Sequence, residues 1–502
     1  MRPTLPAATL LLIVAACTPV APFETSLAVL VDENQDPFGS ATSVDVQVHY
    51  FDGGESVLGT LDPISGEQQV EGLREGVGAI VDIVARDAGG APVAMGRSQP
   101  FDIGPEGGAA AVFVGEVDSL ARVAGGLSAG RAFAAGAYVP GGRVVVVGGG
   151  DNDSTPVEDI EFIGWDAVAP VIGVAGSSFP RLGHQITYVP LEVGGPHAGH
   201  VLSLGGTPEG GTDTLEGAWQ FSDGVIASID PVSGEIDRNA GELATSDALA
   251  QLVWTKDDRI ALIGGFNSTG QYFDAVRLVD PTDLSTEAGP NMETREQHRL
   301  SELSVSGNRM ALISGGTSAA TGPRDSLVLW DLDIAAEPDT LDGIVMSEPR
   351  VRHTSTALSS GRVLLAGGSI GNPDGPFSEY DRGESTRTAD IFDPVFRSVT
   401  ATGTDMVVAR QRHVAAALGD DEVLVCAGET SDGAPLGSCE VYDDSDGTGT
   451  WTPFTGGAMS PGGPGVTAVP LPDGRVLFFG GVGAAGPDDS VYVYTPTSLG
   501  PP

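Results

Sequence analysis

The seven histidines are the residues of this chain best suited to chemistry, because imidazole is both a common metal ligand and a general base near neutral pH. Four of them, His184, His298, His353 and His413, each stand three residues after an arginine: Arg181, Arg295, Arg350 and Arg410. A residue that recurs once per unit of a repeat serves the packing of that unit. His197 and His200 form a close pair, but zinc takes three or four ligands and spacing supplies no third, so no metal site is expected. The acidic runs Asp151-Asn-Asp153 and Asp443-Asp-Ser-Asp446 could offer oxygens to Ca²⁺. That ion needs six to eight ligands, and solvated acidic turns are the better reading. Gly367-Gly-Ser369-Ile-Gly371 fits Gly-x-Ser-x-Gly by letter. A nucleophile elbow needs a strand-to-helix turn, whereas here a glycine pair runs into a Pro/Gly-rich loop. No P-loop or His-Glu-x-x-His occurs. The expectation is a protein with no catalytic residues and no cofactor.

The elements that carry these residues repeat. Apolar runs end in Gly148-Gly149, Gly205-Gly206, Gly264-Gly265, Gly315-Gly316, Gly367-Gly368, Ala427-Gly428 and Gly480-Gly481. The second glycines lie 57, 59, 51, 52, 60 and 53 residues apart. Runs of four or five apolar residues between turn signals read as strands buried on both faces. A further strand follows each pair, at Ile160–Phe162, Trp219–Phe221, Val276–Leu278, Leu327–Trp330, Asp390–Phe392, Glu440–Tyr442 and Val491–Tyr494. The Arg-x-x-His signature opens a strand before each apolar run, with Ala134, Asp247/Ala250 and Gly463 standing as departures in the first, third and seventh copies.

This pattern resembles the kelch repeat, which implies four-stranded sheets set radially around a channel, a β-propeller. The resemblance covers about three quarters of the chain, and the expected fold is all-β, with a seven-bladed propeller over residues 118–497. Too few residues follow Tyr494 for a fourth strand, so the segment at 119–124 is expected to complete the last blade. Galactose oxidase, a copper enzyme, also uses a kelch propeller, but its site needs a Tyr-Cys crosslink. The spare cysteines here, Cys426 and Cys439, sit in the strands of one blade and form a candidate disulfide. Asp444–Trp451 imitates a sialidase Asp-box yet reads better as the kelch turn before its tryptophan.

Glycine contributes 72 of 502 residues, twice the average of ~7%, in keeping with many tight turns. Against 68 acidic residues stand 25 basic ones, a net charge of −43. Phosphate backbones need clustered Lys and Arg, so nucleic-acid binding is excluded as an expectation. Residues 1–16 read as a lipoprotein signal peptide: one Arg, an apolar run from Ala7 to Ala16, then Cys17 in the lipobox-like Val14-Ala-Ala-Cys17. Cys17 would be acylated and residues 17–24 would be the lipidated tether. Contact with the membrane would be by that anchor alone, with the protein exported to the outer membrane or cell surface of a Gram-negative bacterium. Residues 25–117 lack the repeat but carry short alternating runs at Val44–Tyr50, Val77–Val84 and Ala109–Val114. They suggest a small antiparallel β-sandwich, loosely similar to immunoglobulin-like or prealbumin-like modules. The functional expectation is a non-catalytic, lipid-anchored scaffold that engages a protein or glycan through the loops after the glycine pairs, notably Asp151–Val157 and Ser369–Thr386. The alternative is a carbohydrate-active or galactose-oxidase-like propeller enzyme.

Overall fold

The structure is a computed structural model, and it describes residues 9–13, 24–32, 34–51, 57–61, 68–69, 73–105, 107–150, 155–166, 169–174, 179–208, 223–245, 248–267, 271–317, 322–371 and 383–501. Among these the chain is nearly all strand, with one 3-10 turn at Leu191–Val193 and no α-helix. From residue 119 onward it forms seven four-stranded antiparallel sheets. In each, the first strand pairs with the apolar run, which pairs with the third strand. The first strands are Ala135–Val139, Gln185–Tyr188, Gln251–Trp254, Arg299–Val305, Thr354–Ala357, Val414–Gly419 and Val466–Pro470. The apolar runs, such as Val201–Leu204, Ile260–Ile263 and Val363–Ala366, are buried throughout, as their lack of polar alternation requires.

The seventh sheet draws its fourth strand from far upstream. Ser119–Arg122 pairs antiparallel with Val491–Thr495 in the register Ser119↔Thr495 to Arg122↔Tyr492. The segment just before the first copy and the last strand of the seventh are therefore tied together in one sheet. The apolar cores lie between sheets. One joins Val144, Val146 and Ile163 of the first sheet to Leu477, Phe479, Val491 and Val493 of the seventh. Corresponding clusters join each remaining consecutive pair, for example Val145, Val147, Val201 and Ile229 between the first and second. First strands also neighbour one another in order, and Val466–Pro470 lies beside Ala135–Val139.

Two details differ from the sequence reading. The third strand of the second sheet is Val225–Ile229, whereas Trp219–Phe221 lie outside the described residues. Val225–Ile229 follows Gly224 and offers two isoleucines to the core, Ile226 and Ile229, and burial of these outweighs aromatic content. The Arg-x-x-His segments precede their strands rather than lying in them: His184, His298, His353 and His413 each immediately precede the first strand residue.

Upstream, Ser43–His49, Val57–Leu61 and Gly76–Arg86 belong to one antiparallel sheet with Pro92–Arg97. Glu24–Leu30 pairs with Thr9–Ile13 and, in parallel, with Gly108–Phe113. The parallel pairing corrects the expectation of a wholly antiparallel arrangement. It lets Leu27, Ala110 and Val112 share one core with Val44, Val46 and Ile83 of the other sheet. This part is fastened to the seven sheets by hydrogen bonds to backbone carbonyls around Arg97, which its own sheet holds in place. Arg97 grips Asp82 through Nε and Nη2 at 2.7 and 2.8 Å, and donates from Nη1 to the Pro501 carbonyl. Arg475 in turn donates to the Arg97 carbonyl at 3.1 Å. Cys17 lies outside the described residues, and no helix among the described residues is long and apolar enough to cross a membrane.

Candidate functional site

The glycine pairs and the Arg-x-x-His segments meet where one sheet abuts the next. The second glycine of each pair donates its N–H to the carbonyl of the following copy's arginine: Gly149 to Arg181, Gly265 to Arg295, Gly316 to Arg350 and Gly368 to Arg410, at 2.9–3.0 Å. Gly428 donates to Gly463, the residue in the arginine's place, and Gly481 donates to Arg131 of the first copy. The second-to-third joint falls on residues 246–247, outside the described residues. Glycine suits this joint, although the sixth copy holds Ala427 at the same left-handed position. Gly367 has φ +60, and a Cβ on it would sit 2.7 Å from the Arg410 carbonyl and 2.8 Å from His413 Cε1, closer than van der Waals contact allows.

The arginine side chains bind back into their own sheets. Arg350 donates to the carbonyl of Gly367 at 3.0 Å and to Asp390 at 3.0 Å. Arg410 does the same with Ala427 and Glu440, at 2.8 and 2.7 Å, and Arg131 with Gly148 and Glu161. A fully buried guanidinium is tolerable only with such partners. Copy three, which lacks the arginine, takes a substitute from its third strand: Arg277 donates to the Gly264 carbonyl at 2.6 Å.

The four recurring histidines are buried at these joints. His353 Nε2 meets Ser314 Oγ at 2.8 Å, and His413 Nε2 meets Thr354 Oγ1 at 2.9 Å. Burial pushes the His184 pKa down to about 3, with Arg181 adding to the effect. Burial and nearby arginines push His298, His353 and His413 well below the ordinary value. These imidazoles are neutral, walled-in spacers.

His197 and His200 both place Nδ1 against the buried Ser228 hydroxyl, at 3.0 and 2.8 Å. Among the described residues no group of three or more His, Cys, Asp or Glu is placed to hold a metal. Ser369 is fully buried and bridged to Val351 and Ser385, which places it in the packed joint and not at an exposed elbow. Asp443 and Asp446 cap their own turns by accepting from Ser445 and Thr448 N–H, and Asp444 pairs with Arg362 at 2.8 Å. Asp151–Asp153 lie outside the described residues. Cys426 and Cys439 face each other in register across adjacent strands and are joined as a disulfide.

A ring of residues that composition does not reveal lies just before the first strands. The third position of every Arg-x-x-His segment is left-handed: Phe133, Gly183, Leu249, Gln297, Arg352, Arg412 and Gly465, with φ from 51 to 79°. Backbone bonds link them from copy to copy: Arg412 N to Arg352 O, Arg352 N to Gln297 O, Leu249 N to Gly183 O and Phe133 N to Gly465 O. Their side chains converge as well. Arg352 Nε donates to Gln297 Oε1 at 2.7 Å. Arg412 lies 3.4 Å from Glu429 and reaches over the Phe133 ring at 6.0 Å, from the sixth copy to the first. Tyr272 donates to Glu296 at 3.3 Å nearby. Isolated bridges such as Val351↔Ser369↔Ser385 and Gln411↔Glu429↔Pro435 put this ring at the same end of the sheets as the loops after the glycine pairs.

No protein-family model and no curated protein matches the chain. Among solved structures, one described as the structure of YjhT is 10% identical, and the match covers 65% of this chain and 99% of that one at a TM-score of 0.46. The sheet arrangement of the chain itself is propeller-like, nearly all-β and built of small antiparallel sheets.

Proposed function

We propose that residues 118–497 are a seven-bladed, kelch-type propeller carried on a β-sandwich of residues 25–117, and that the protein is an exported, lipid-anchored scaffold. It binds a protein or glycan partner on the face that bears the ring of left-handed residues and the loops after the glycine pairs, without catalysing a reaction. The observation that carries this reading is the joint: the same glycine-to-carbonyl bond recurs between copies and also runs from Gly481 back to Arg131. Such a ring is rigid, and its loops are what vary from copy to copy, which is where propellers and other scaffolds bind. The recurring histidines, neutral and enclosed, are in no position to exchange protons with a substrate. Anchoring rests on Cys17 and the small residues before it, since more than one acyl chain holds a protein stably at a bilayer.

A second reading, a carbohydrate-active enzyme, is favoured by one observation: Arg352, Arg412, Tyr272 and Glu296 cluster at that same end. Screening the purified protein against glycosidase, lyase and copper-supplemented oxidase substrates separates the two. No turnover together with partner capture that fails when the post-glycine loops are shortened supports the scaffold. Turnover abolished by Tyr272→Phe or Glu296→Gln overturns it. Cys17→Ser should abolish labelling by a radioactive fatty acid and release the protein from membranes, and a mutant still labelled and membrane-bound refutes the anchor.

A further inference from the structure

Glu24–Leu30 lies between two strands, Gly108–Phe113 running parallel to it and Thr9–Ile13 running antiparallel. Thr9–Ile13 falls within the leader, residues 1–16, upstream of Cys17. Cleavage before Cys17 therefore leaves Glu24–Leu30 paired along one side only. The backbone groups that cleavage uncovers follow from the register. Val114 N–H donates to the Leu30 carbonyl at 2.8 Å, and Leu30 is the register partner of Phe113. Leu30 thus turns its backbone groups toward Gly108–Phe113, and by alternation along the strand so do Ala28 and Ser26. Thr25, Leu27 and Val29 turn theirs the other way, to the side that Thr9–Ile13 covers.

A bare strand edge is a template for another strand, and proteins blunt such edges with charged residues, proline or bulges. From Thr25 to Leu30 the sequence is Thr-Ser-Leu-Ala-Val-Leu, with no charge and no proline. The register is unbroken with both neighbours, so no bulge turns the edge aside. Leu27 is buried in the core it shares with Val44, Val46 and Ile83, which keeps the strand in place when its cover is removed. The structure also shows the polarity this edge accepts, a strand running antiparallel to it. A second copy of this chain supplies that by two-fold symmetry, in which one surface meets itself. Centred on Leu27, the pairing sets Leu27 against Leu27 and Thr25 against Val29, so every outward backbone group finds a partner. Tethers at Cys17 would hold copies on one membrane and raise their effective concentration.

We propose that removal of the leader uncovers Glu24–Leu30 and that two mature chains pair there, edge to edge, as one continuous sheet. The proposal rests on the lipoprotein reading for the loss of residues 1–16. The test is sedimentation velocity over a dilution series, on the chain beginning at Thr18 and on the uncleaved full chain carrying Cys17→Ser. The shorter chain should sediment at twice its monomer mass and dissociate on dilution, and the leader-bearing chain should stay monomeric. Positions 26 and 28 stand opposite each other in the two-fold register. Ser26→Glu/Ala28→Glu and Ser26→Lys/Ala28→Lys, made in the shorter chain, should therefore each be monomeric and should form a dimer when mixed, a rescue that misfolded chains would not give. Val29→Pro removes one outward N–H and should prevent pairing with the far-UV spectrum unchanged. A shorter chain that is monomeric at every concentration, a dimer that survives the acidic pair of substitutions, or equal dimerisation with the leader present overturns the proposal. Mass spectrometry of the membrane-extracted protein reports separately on the leader: retention of residues 1–16 refutes the processing on which the proposal rests, whatever the sedimentation shows.

Discussion

The buried histidines make acid stability a direct readout of the joints. The perturbation is a fall in pH from 7 to 4.5. His184 has its pKa at about 3 in the folded protein against 6.5 ordinarily, so the unfolded chain takes up a proton that the native one refuses. Stability contributed by this difference is complete above pH 6.5 and is lost as pH falls from 6.5 toward 3. At pH 4.5, two units below 6.5, one such histidine costs about 2.7 kcal/mol at 1.36 kcal/mol per unit. His298, His353 and His413 shift in the same direction, so each adds up to about 1.4 kcal/mol per pH unit over the same window. Carboxylates with lowered pKa, such as Asp473, titrate lower, and Glu422, raised by burial and nearby acids, is common to parent and variant, so their comparison isolates the histidine. The assay is urea unfolding at pH 7, 6, 5.5 and 5, for the parent and for His184→Gln. The parent should lose stability steeply below pH 6, and the variant should lose less per pH unit by about one proton's worth. An equal slope in both, or NMR titration of the buried imidazoles near 6.5, would refute the account of neutral, enclosed histidines.

Other tests address separate parts. Gly367→Ala should cost about 2–4 kcal/mol, from a left-handed penalty of about 1–2 kcal/mol plus crowding against Arg410 and His413. Ala427→Gly should change stability by less than about 1 kcal/mol, because relief at φ +62 offsets added backbone entropy; thermal melts compare the two. Reducing the Cys426–Cys439 bridge, or replacing both by serine, should lower stability by about 3 kcal/mol for a loop of this size, and two thiols titrating in unfolded, unreduced protein would deny the bridge. Arg97→Ala should leave Asp82 buried without its bidentate partner, at about 3–5 kcal/mol. Limited proteolysis should then release the N-terminal part first, and unchanged digestion would contradict its fastening role.

The sequence makes the sheets visible because burial on both faces leaves an uninterrupted apolar run, and the left-handed turn after it favours glycine, with Ala427 the one departure among the pairs. The strand at Ser119–Arg122 is legible because a short apolar segment stands just before the first copy, where the seventh sheet needs a partner. What it hides is substitution by a different route. Arg277 replaces the missing arginine of copy three from another strand, and a fixed-offset motif search looks past it. The parallel partnership of Glu24–Leu30 with Gly108–Phe113 is hidden too, because alternation shows that a strand is half-buried but not which strand lies beside it. The ring of left-handed residues escapes notice because Phe, Gly, Leu, Gln and Arg all occupy it. A signal was present nonetheless: Arg350-Val-Arg352-His353 and Arg410-Gln-Arg412-His413 repeat a second arginine beside the histidine.

Closure of the seven sheets through Ser119–Arg122 is the claim on which the scaffold reading depends. Ala121 and Val493 are register partners, and both are fully buried. The decisive measurement is thiol titration, after mild oxidation and denaturation, of Ala121→Cys/Val493→Cys in a chain also carrying Cys17→Ser. Closure gives no additional free thiols, and a mobility shift that reverses on reduction. Two free thiols per chain, with the Cys426–Cys439 bridge intact, would show that the ends do not meet.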